Sequence, residues 1–168
     1  MLDRLFKTDD DAVMTIIRLV LGVVFIAHGA QKMLGWFGGY GFSATMGFFT
    51  KQMGIPAVFA FLAIAAEFFG GLGLILGLLG RIAALGIGVE MAVAVALVHR
   101  HFGLFMNWYG TQKGEGFEYH LLAIALALAV LVKGAGAFSL DRLIYQRLAS
   151  GRRRAAGPVG GESLSSAA

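Results

Sequence analysis

Four long apolar runs constrain this chain more than any other feature of its sequence. They cover residues 13–34, 56–79, 82–98 and 118–133 of 168. A helix needs about 20 residues, and at least about 17, to cross the hydrocarbon core of a bilayer. The first two runs exceed this length, the third is at the limit, and the fourth is short unless its polar ends are counted. We therefore predict an all-α integral membrane protein, a bundle of four transmembrane helices.

The composition supports a membrane protein and excludes several other classes. Charged residues make up 14% of the chain and hydrophobic residues 58%, whereas soluble domains carry about 25% charged residues. The net charge of +4 comes from arginines near the C-terminus, so it does not predict nucleic-acid binding. Because the chain has no cysteine, disulfides, thiolate-bound metals and dithiol redox chemistry are excluded.

Outside the four runs, the sequence predicts a short helix and a tail. Residues 39–54 carry large apolar side chains at helical spacing, with Ser43 placed to cap the N-terminus. We expect a short interfacial helix there, flat in the membrane interface or over the mouth of the bundle. The membrane domain covers residues 1–149, and residues 150–168 form a basic tail that we predict to be disordered.

Basic residues predict the orientation in the membrane. Nine lysines and arginines lie in the N-terminal segment, in the turn between the second and third runs, and after the fourth run. The other two connections hold three. Because cytoplasmic loops carry an excess of Lys and Arg, both termini should face the cytoplasm.

Ionisable residues inside or beside the apolar runs are the candidate functional residues, since a charge in hydrocarbon needs a partner or a function. Glu67 and Glu90 fall at the midpoints of the second and third runs. The other candidates for a ligand site or a proton relay are Arg18, His28, Lys32, Glu118 and His120.

The spacing of these residues predicts a polar stripe along the first helix. Arg18, His28 and Lys32 share one broad helical face, which we expect to point toward the two central glutamates. The depths of the residues favour pairing of Arg18 with Glu67 and of Lys32 with Glu118. Such pairs can also be purely structural and only fix the register of the helices.

The histidines do not predict a metal site. His101 falls on the Glu90 face if the third helix continues, so the histidines could form a proton relay or a metal cluster. No His-x-x-x-His pair occurs on one helix, however, and neither zinc nor haem is predicted.

Glycines in the first two runs predict close packing of helices. The segment GGLGLILGLLG contains Gly-x-Gly, but no strand precedes it and it lies inside an apolar run, so a phosphate-binding loop is excluded. The predicted packing glycines are Gly22, Gly29, Gly70, Gly71, Gly73 and Gly77.

These polar and glycine residues fall into four ordered motifs. The first is Arg18-x-x-x-Gly22 with Phe25-x-x-His28-Gly29-x-x-Lys32. The second follows Pro56 and is Glu67-x-x-Gly70-Gly71-x-x-Leu74-x-x-Gly77-x-x-x-Arg81. The last two are GFEY with Glu118, and GAGAFSLD with Gly134, Gly136, Ser139 and Asp141. In this pattern the chain resembles the DoxX family of small bacterial membrane proteins, over about residues 13–142. One departure is Ala137, where the family often has a basic residue.

The resemblance implies a four-helix protein of the bacterial inner membrane. Relatives are linked to quinone-coupled thiosulfate oxidation and to membrane complexes with sulfurtransferase and superoxide dismutase partners. Our leading hypothesis is therefore a redox-linked membrane subunit that binds quinone near His28, Lys32 and Glu118 and has no redox centre of its own. Its partners would be the lipid bilayer and a redox enzyme complex of sulfurtransferase or oxidoreductase type, or further copies of the chain.

Two alternatives to this hypothesis stay open at the level of sequence. The chain could be a non-catalytic assembly or anchoring subunit whose polar pairs are structural. It could also be a proton-coupled transporter, although no inverted repeat or broken helix is obvious.

Overall fold

The computed structural model describes residues 5–155, and every regular element within them is helical. The elements are α1 (Ala12–Leu34), α2 (Gly41–Gly47) with a π-helical turn at Phe48–Gln52, α3 (Ala57–Ala65) joined to α4 (Gly71–Leu76) by a π-helical turn at Ala66–Gly70, α5 (Gly80–Leu97) with a 3₁₀ turn at His99–Phe102, α6 (Glu118–Lys133) and α7 (Leu140–Ala155). The all-α prediction is confirmed for this part of the chain.

Helix α1 begins and ends at clear capping residues. The Asp11 side chain accepts hydrogen bonds from the backbone N–H groups of Val13, at 2.8 Å, and Met14, at 3.2 Å. A side-chain acceptor at this position satisfies N–H groups that have no partner within the helix. At the other end Gly35 adopts a left-handed conformation, with φ of 75°, which is typical of a helix C-terminus.

The second apolar run is one helical rod, Ala57–Leu76, interrupted by the π-helical turn. Pro56 precedes its first turn, where a missing N–H is tolerated, and Gly77 ends it with a φ of 64°. Among the described residues, three helices are long and apolar enough to cross a membrane, namely α1, this rod and α5. Helix α6 has 16 residues, about 24 Å at about 1.5 Å per residue.

The helices pack around a small apolar core. Helix α6 lies along α5, and α1 lies against α4 and the second π-helical turn. Phe25, Leu74, Ile87 and Val130 are each at most 1% exposed, and they join these four elements at the centre. The segment after α6 returns to the start of α5. There the Asp141 carboxylate accepts hydrogen bonds from the backbone N–H groups of Leu79 and Gly80.

Two boundaries differ from the sequence predictions. A helix does form within residues 39–54, but Ser43 lies inside α2 and Tyr40 precedes it without a side-chain cap. Helix α7 continues to Ala155, six residues into the region predicted to be disordered. The rest of the predicted tail, residues 156–168, lies outside the described residues.

Candidate functional site

A pocket of about 490 Å³ opens between α1, the Ala57–Leu76 rod, α5 and α6. The π-helical turn after α2 contributes Phe48 and Phe49 to one wall, and most of the lining is apolar. We call this cavity the polar pocket after its ionisable lining. The ionisable residues of the lining are His28, Lys32, Glu67, Glu90, His99, Glu115, Tyr119 and His120.

An ion pair between Lys32 and Glu67 lies at the centre of the polar pocket. The Lys32 Nζ atom is 2.5 Å from Glu67 Oε2, and the Glu67 side chain is only 5% exposed. Lys32 comes from the last turn of α1 and Glu67 from the π-helical turn at Ala66–Gly70. The expected pairing of Lys32 with Glu118 is therefore wrong, because the π-helical turn brings Glu67 within reach.

A second carboxyl group adjoins this ion pair. The carboxyl of Glu90 on α5 lines the pocket with the carboxyl of Glu67, and the two groups interact electrostatically. The Oε2 atom of Glu90 is buried and has no hydrogen-bond partner among residues 5–155. Together, Glu67 and Glu90 place two carboxyl groups beside the single ammonium group of Lys32, and buried carboxylates are costly without compensation.

Aromatic and imidazole rings line the side of the pocket formed by α6. His120 is 5% exposed, and its ring centroid is 4.0 Å from that of His99 and 5.4 Å from that of Tyr119. The Tyr119 ring is also 6.3 Å from the ring of His28. Within the described part of the chain, neither Tyr119 Oη nor His120 Nδ1 has a hydrogen-bond partner.

Tyr119 was not among the sequence candidates, and His99 was considered only as one of the histidines that could form a proton relay or a metal cluster. His101 was expected on the Glu90 face, but α5 ends at Leu97 and the 3₁₀ turn redirects the chain. His99 therefore faces the pocket, whereas the ring of His101 accepts a hydrogen bond from Arg100 at 3.3 Å. A helical wheel drawn for one continuous helix cannot show this change of direction.

Glu118 supports a loop rather than the ion pair. Its Oε1 atom accepts hydrogen bonds from the backbone N–H of Met106, at 3.0 Å, and from Trp108 Nε1, at 2.9 Å. These contacts hold the connection between α5 and α6 against the first turn of α6. The sequence prediction grouped Glu118 with His28 and Lys32 at a ligand site, whereas the structure directs its carboxylate to this loop and leaves it out of the pocket lining.

Arg18 has a structural environment far from Glu67 along the rod. The side chain is 1% exposed and, within residues 5–155, its hydrogen bonds all go to backbone carbonyl oxygens. Leu74 and Ile75 accept at 2.7 Å from the end of α4, Ala135 accepts at 2.7 Å, and Phe138 accepts at 2.8 Å. The expected pairing of Arg18 with Glu67 is therefore wrong.

Three glycines permit the close approach of α1 to the second helix. A Cβ atom at Gly29 would lie 2.4 Å from the backbone nitrogen of Phe68, and one at Gly71 would lie 2.4 Å from that of Ile26. At Gly22 the nearest backbone atoms would be 3.0 Å away. These separations are too short for any side chain, so the two backbones are in direct contact.

The other three predicted packing glycines differ in their surroundings. Gly77 has a positive φ, and a Cβ there would lie 2.4 Å from the Cβ of Ser139. At Gly73 the Leu78 carbonyl oxygen would be 2.9 Å away, within the same turn. At Gly70 the nearest atom would be 3.6 Å away, which is ordinary contact.

Among the described residues, no group of three or more His, Asp or Glu side chains is arranged to hold a metal ion. The His99–His120 pair brings two imidazoles together without a third ligand. The lining of the polar pocket is instead mostly apolar, with a few polar atoms that point into one cavity. This is the usual form of a site for a small organic molecule.

Comparison with known proteins places this chain in a family. The profile of the DoxX family matches residues 13–100. The chain is 27% identical over 141 residues to the inner membrane protein YqjF of Escherichia coli (strain K12), covering 84% of this chain and 98% of that protein. It is 31% identical over 150 residues to the membrane protein Rv3486 of Mycobacterium tuberculosis (strain ATCC 25618 / H37Rv), covering 86% and 88%.

A third relative carries a functional name. The chain is 27% identical over 131 residues to CatD of Bacillus subtilis (strain 168), a protein provisionally named an oxidoreductase, covering 78% of this chain and 86% of that protein. No solved structure matches the chain.

Proposed function

The chain belongs to the DoxX family of membrane proteins, and from this premise we propose that it is a redox-linked subunit of the bacterial inner membrane that binds a quinone in the polar pocket. The observation that carries the proposal is a set of buried polar atoms that face one apolar cavity. In the described residues, Glu90 Oε2, Tyr119 Oη and His120 Nδ1 are all without a hydrogen-bond partner there. Such atoms cost free energy unless a ligand or water satisfies them.

A quinone head group suits this arrangement of donors and acceptors. Its two oxygens accept hydrogen bonds when it is oxidised and donate them when it is reduced. Tyr119 Oη and an imidazole nitrogen can donate or accept, and a carboxyl group can do both in its protonated form. The apolar lining from Phe48, Phe49 and Leu97 suits the ring and the isoprenoid tail. The pocket volume lies within the range of about 300–1,000 Å³ found for small-molecule sites.

The chain's own residues would hold and move protons in this function. The Lys32–Glu67 ion pair fixes one carboxylate, and Glu90 beside it can take a proton from a bound quinol or return one to a quinone. Oxidation of a quinol releases two electrons and two protons, and we assign the electrons to a redox centre in a partner subunit. The provisional oxidoreductase name of CatD is consistent with such a role.

Titration of the purified protein in lipid nanodiscs with decylubiquinone tests the proposal. We expect saturable binding, and we expect Glu90→Gln and His28→Ala to weaken it about tenfold each, which is about 1.4 kcal/mol. His101→Ala is the matched control, because it removes an imidazole near the pocket without changing its lining, and it should bind like the wild type. Absence of saturable binding, or unchanged binding in both pocket variants, would contradict a quinone site.

The proposed placement in the membrane has four spans, with α6 as the fourth and both termini in the cytoplasm. The 16 residues of α6 are short for a span, but a bilayer can thin locally around a short helix. Exposed aromatic side chains occur in both connections at the polar-pocket end, including Trp36, Tyr40, Trp108 and Tyr109. Aromatic residues are enriched at membrane interfaces, which supports an interfacial position for these connections and for α2.

One observation favours a second candidate, an assembly or anchoring subunit without a ligand. Within residues 5–155 the hydrogen bonds of Arg18 all go to backbone carbonyls, which suits a structural role, and the Lys32–Glu67 ion pair can be structural as well. This alternative predicts that Lys32→Met combined with Glu67→Met preserves both expression and the growth phenotype of a strain that depends on the gene. A growth defect in a well-folded double variant would count against it.

A further inference from the structure

His99 and His120 form a tilted ring pair at the wall of the polar pocket, and the quinone proposal does not use this pair. Their ring centroids are 4.0 Å apart with an interplanar angle of 41°. One ring comes from the 3₁₀ turn after α5 and the other from the first turn of α6. A proton can pass between two such rings where one water molecule bridges a nitrogen of each.

The inner ring of this pair lines the same pocket as the two buried carboxyl groups. His120 is almost completely buried, and Tyr119 next to it interacts electrostatically with both Glu67 and Glu90. The Tyr119 hydroxyl and His120 Nδ1, which have no hydrogen-bond partner among residues 5–155, line one cavity with Glu90 Oε2. A cavity of about 490 Å³ with several polar groups can hold bridging water molecules between them.

The outer ring of the pair lies at the surface of the bundle end. His99 is half-buried, and its Nδ1 atom is 2.8 Å from the carbonyl oxygen of Glu115 in the exposed connection between α5 and α6. The Glu115 carboxylate accepts a hydrogen bond from the backbone N–H of Asn107 at 2.7 Å, which fixes this loop beside the histidine. The ring pair therefore extends from the buried His120 to the half-buried His99 beside the exposed connection.

We propose that His120 and His99 are the proton passage between the Glu67–Glu90 carboxyl pair and the aqueous side of the α5–α6 connection. Imidazole suits this task because one ring nitrogen can accept a proton while the other donates one. A proton that leaves Glu90 passes to His120 by way of Tyr119 or water, then to His99, and then to solvent. The ionisable groups that face this route are Lys32, Glu67, Glu90, Glu115, Tyr119 and His28.

This inference deepens the proposed function, because a quinone site needs a route for its protons, but its test needs no quinone. Infrared spectroscopy of the full-length protein in nanodiscs can follow the carbonyl band of a protonated buried carboxyl after rapid mixing with D₂O. Glu90→Gln identifies the band. We expect deuterium exchange at this carboxyl to slow by at least about tenfold in His99→Ala and in His120→Ala.

Two controls separate proton transfer from structural damage. His101→Ala removes the neighbouring imidazole of the same turn and should exchange at the wild-type rate. Added imidazole should restore much of the exchange rate in His99→Ala, because the site is open to solvent on that side, whereas a folding defect would not respond. If His120→Ala does not fold, His99→Ala and its rescue still test the route.

The possible results distinguish this proposal from the quinone site. Wild-type exchange rates in both histidine variants, or no carboxyl band that Glu90→Gln removes, would overturn the passage. Slow exchange in the variants together with no binding of decylubiquinone would support the passage and contradict the quinone site.

Discussion

The guanidinium of Arg18 is buried in an apolar bundle, and within the described residues its hydrogen bonds go to backbone carbonyls, whereas the buried Asp141 carboxylate acts on it through electrostatics. The planar fork of Arg18 presents five N–H donors, and they meet carbonyl oxygens at the C-terminal end of α4 and in the connection after α6. Carbonyls at a helix C-terminus have no partner within the helix and carry partial negative charge. Arg18 therefore acts as a shared cap that joins three parts of the chain.

Arg18→Lys should strongly destabilise the protein, although it keeps the charge. One ammonium group cannot reach acceptors that lie on two sides, so buried carbonyls lose their partners at a cost of about 1–3 kcal/mol each. We expect the thermal unfolding midpoint in detergent to fall by several degrees. Arg142→Lys is the control, since Arg142 bonds to the exposed carboxylate of Asp10, and it should change stability by less than about 0.5 kcal/mol. Equal midpoints for the two variants would contradict this role.

The Lys32–Glu67–Glu90 cluster permits a second prediction at the level of single residues. Lys32→Met leaves two facing carboxyl groups without a cation, which should cost about 3–5 kcal/mol of the free energy of unfolding at neutral pH. Adding Glu67→Gln removes the uncompensated charge and should recover a large part of this loss. A double-mutant cycle measured by unfolding in detergent checks the coupling. Additive effects of the two substitutions would show that the ion pair has no energetic role.

At the scale of secondary structure, the π-helical turn at Ala66–Gly70 is the feature that forms the site. Its extra residue per turn shifts the helical face, so Glu67 points at Lys32 while the rod stays in contact with α1. The backbone of this turn touches Gly29 directly. π-helical turns often occur at functional sites, and here the geometry of the turn and the glycine contact depend on each other.

Gly29→Ala should separate α1 from the second helix. The added Cβ would lie 2.4 Å from the backbone nitrogen of Phe68, a contact that only a backbone shift can relieve. We expect a loss of about 1–3 kcal/mol in unfolding measurements, together with weaker binding in the polar pocket. Gly47→Ala is the matched control, because Gly47 has a helical φ of −60° and nothing within 4 Å, so it should be neutral or stabilising by up to about 1 kcal/mol. Similar stability of the two variants would contradict direct backbone contact.

At the scale of the whole molecule, the position of α6 decides how many times the chain crosses the membrane. It packs along α5 as a full member of the bundle, although it is shorter than the other three. If α6 spans, the α5–α6 connection and α7 lie on opposite sides of the membrane. The polar pocket would then open toward the side away from the termini.

Single-cysteine labelling tests this topology in a chain that has no native cysteine. We expect Tyr40→Cys and Tyr109→Cys, both highly exposed positions, to react with a membrane-impermeant maleimide in intact spheroplasts. Ser150→Cys in α7 should react only after permeabilisation. Labelling of Tyr109→Cys and Ser150→Cys from the same side would mean that α6 does not cross the membrane.

The sequence by itself determined the helical class, the membrane environment and most helix boundaries. These properties follow from the length and position of apolar runs, and they depend on the exclusion of apolar side chains from water rather than on any particular contact. The capping residues Asp11 and Gly35 are also local signals, because each marks a helix end through its own backbone or side chain. The sequence also singled out Lys32, Glu67, Glu90 and His120, because a polar residue in an apolar run stands out without a structure.

Only the tertiary structure decided which of these residues meet. Depth along an ideal helix predicted Arg18 with Glu67 and Lys32 with Glu118, but a π-helical turn rotates one helix face and a 3₁₀ turn redirects another. A local change of one residue per turn moves a side chain by about 100° around the helix axis. A hydropathy pattern does not show this rotation. The acceptors of Arg18 are backbone atoms far away in sequence, so no side-chain pattern could indicate them, and the position of His99 depends on the same long-range packing.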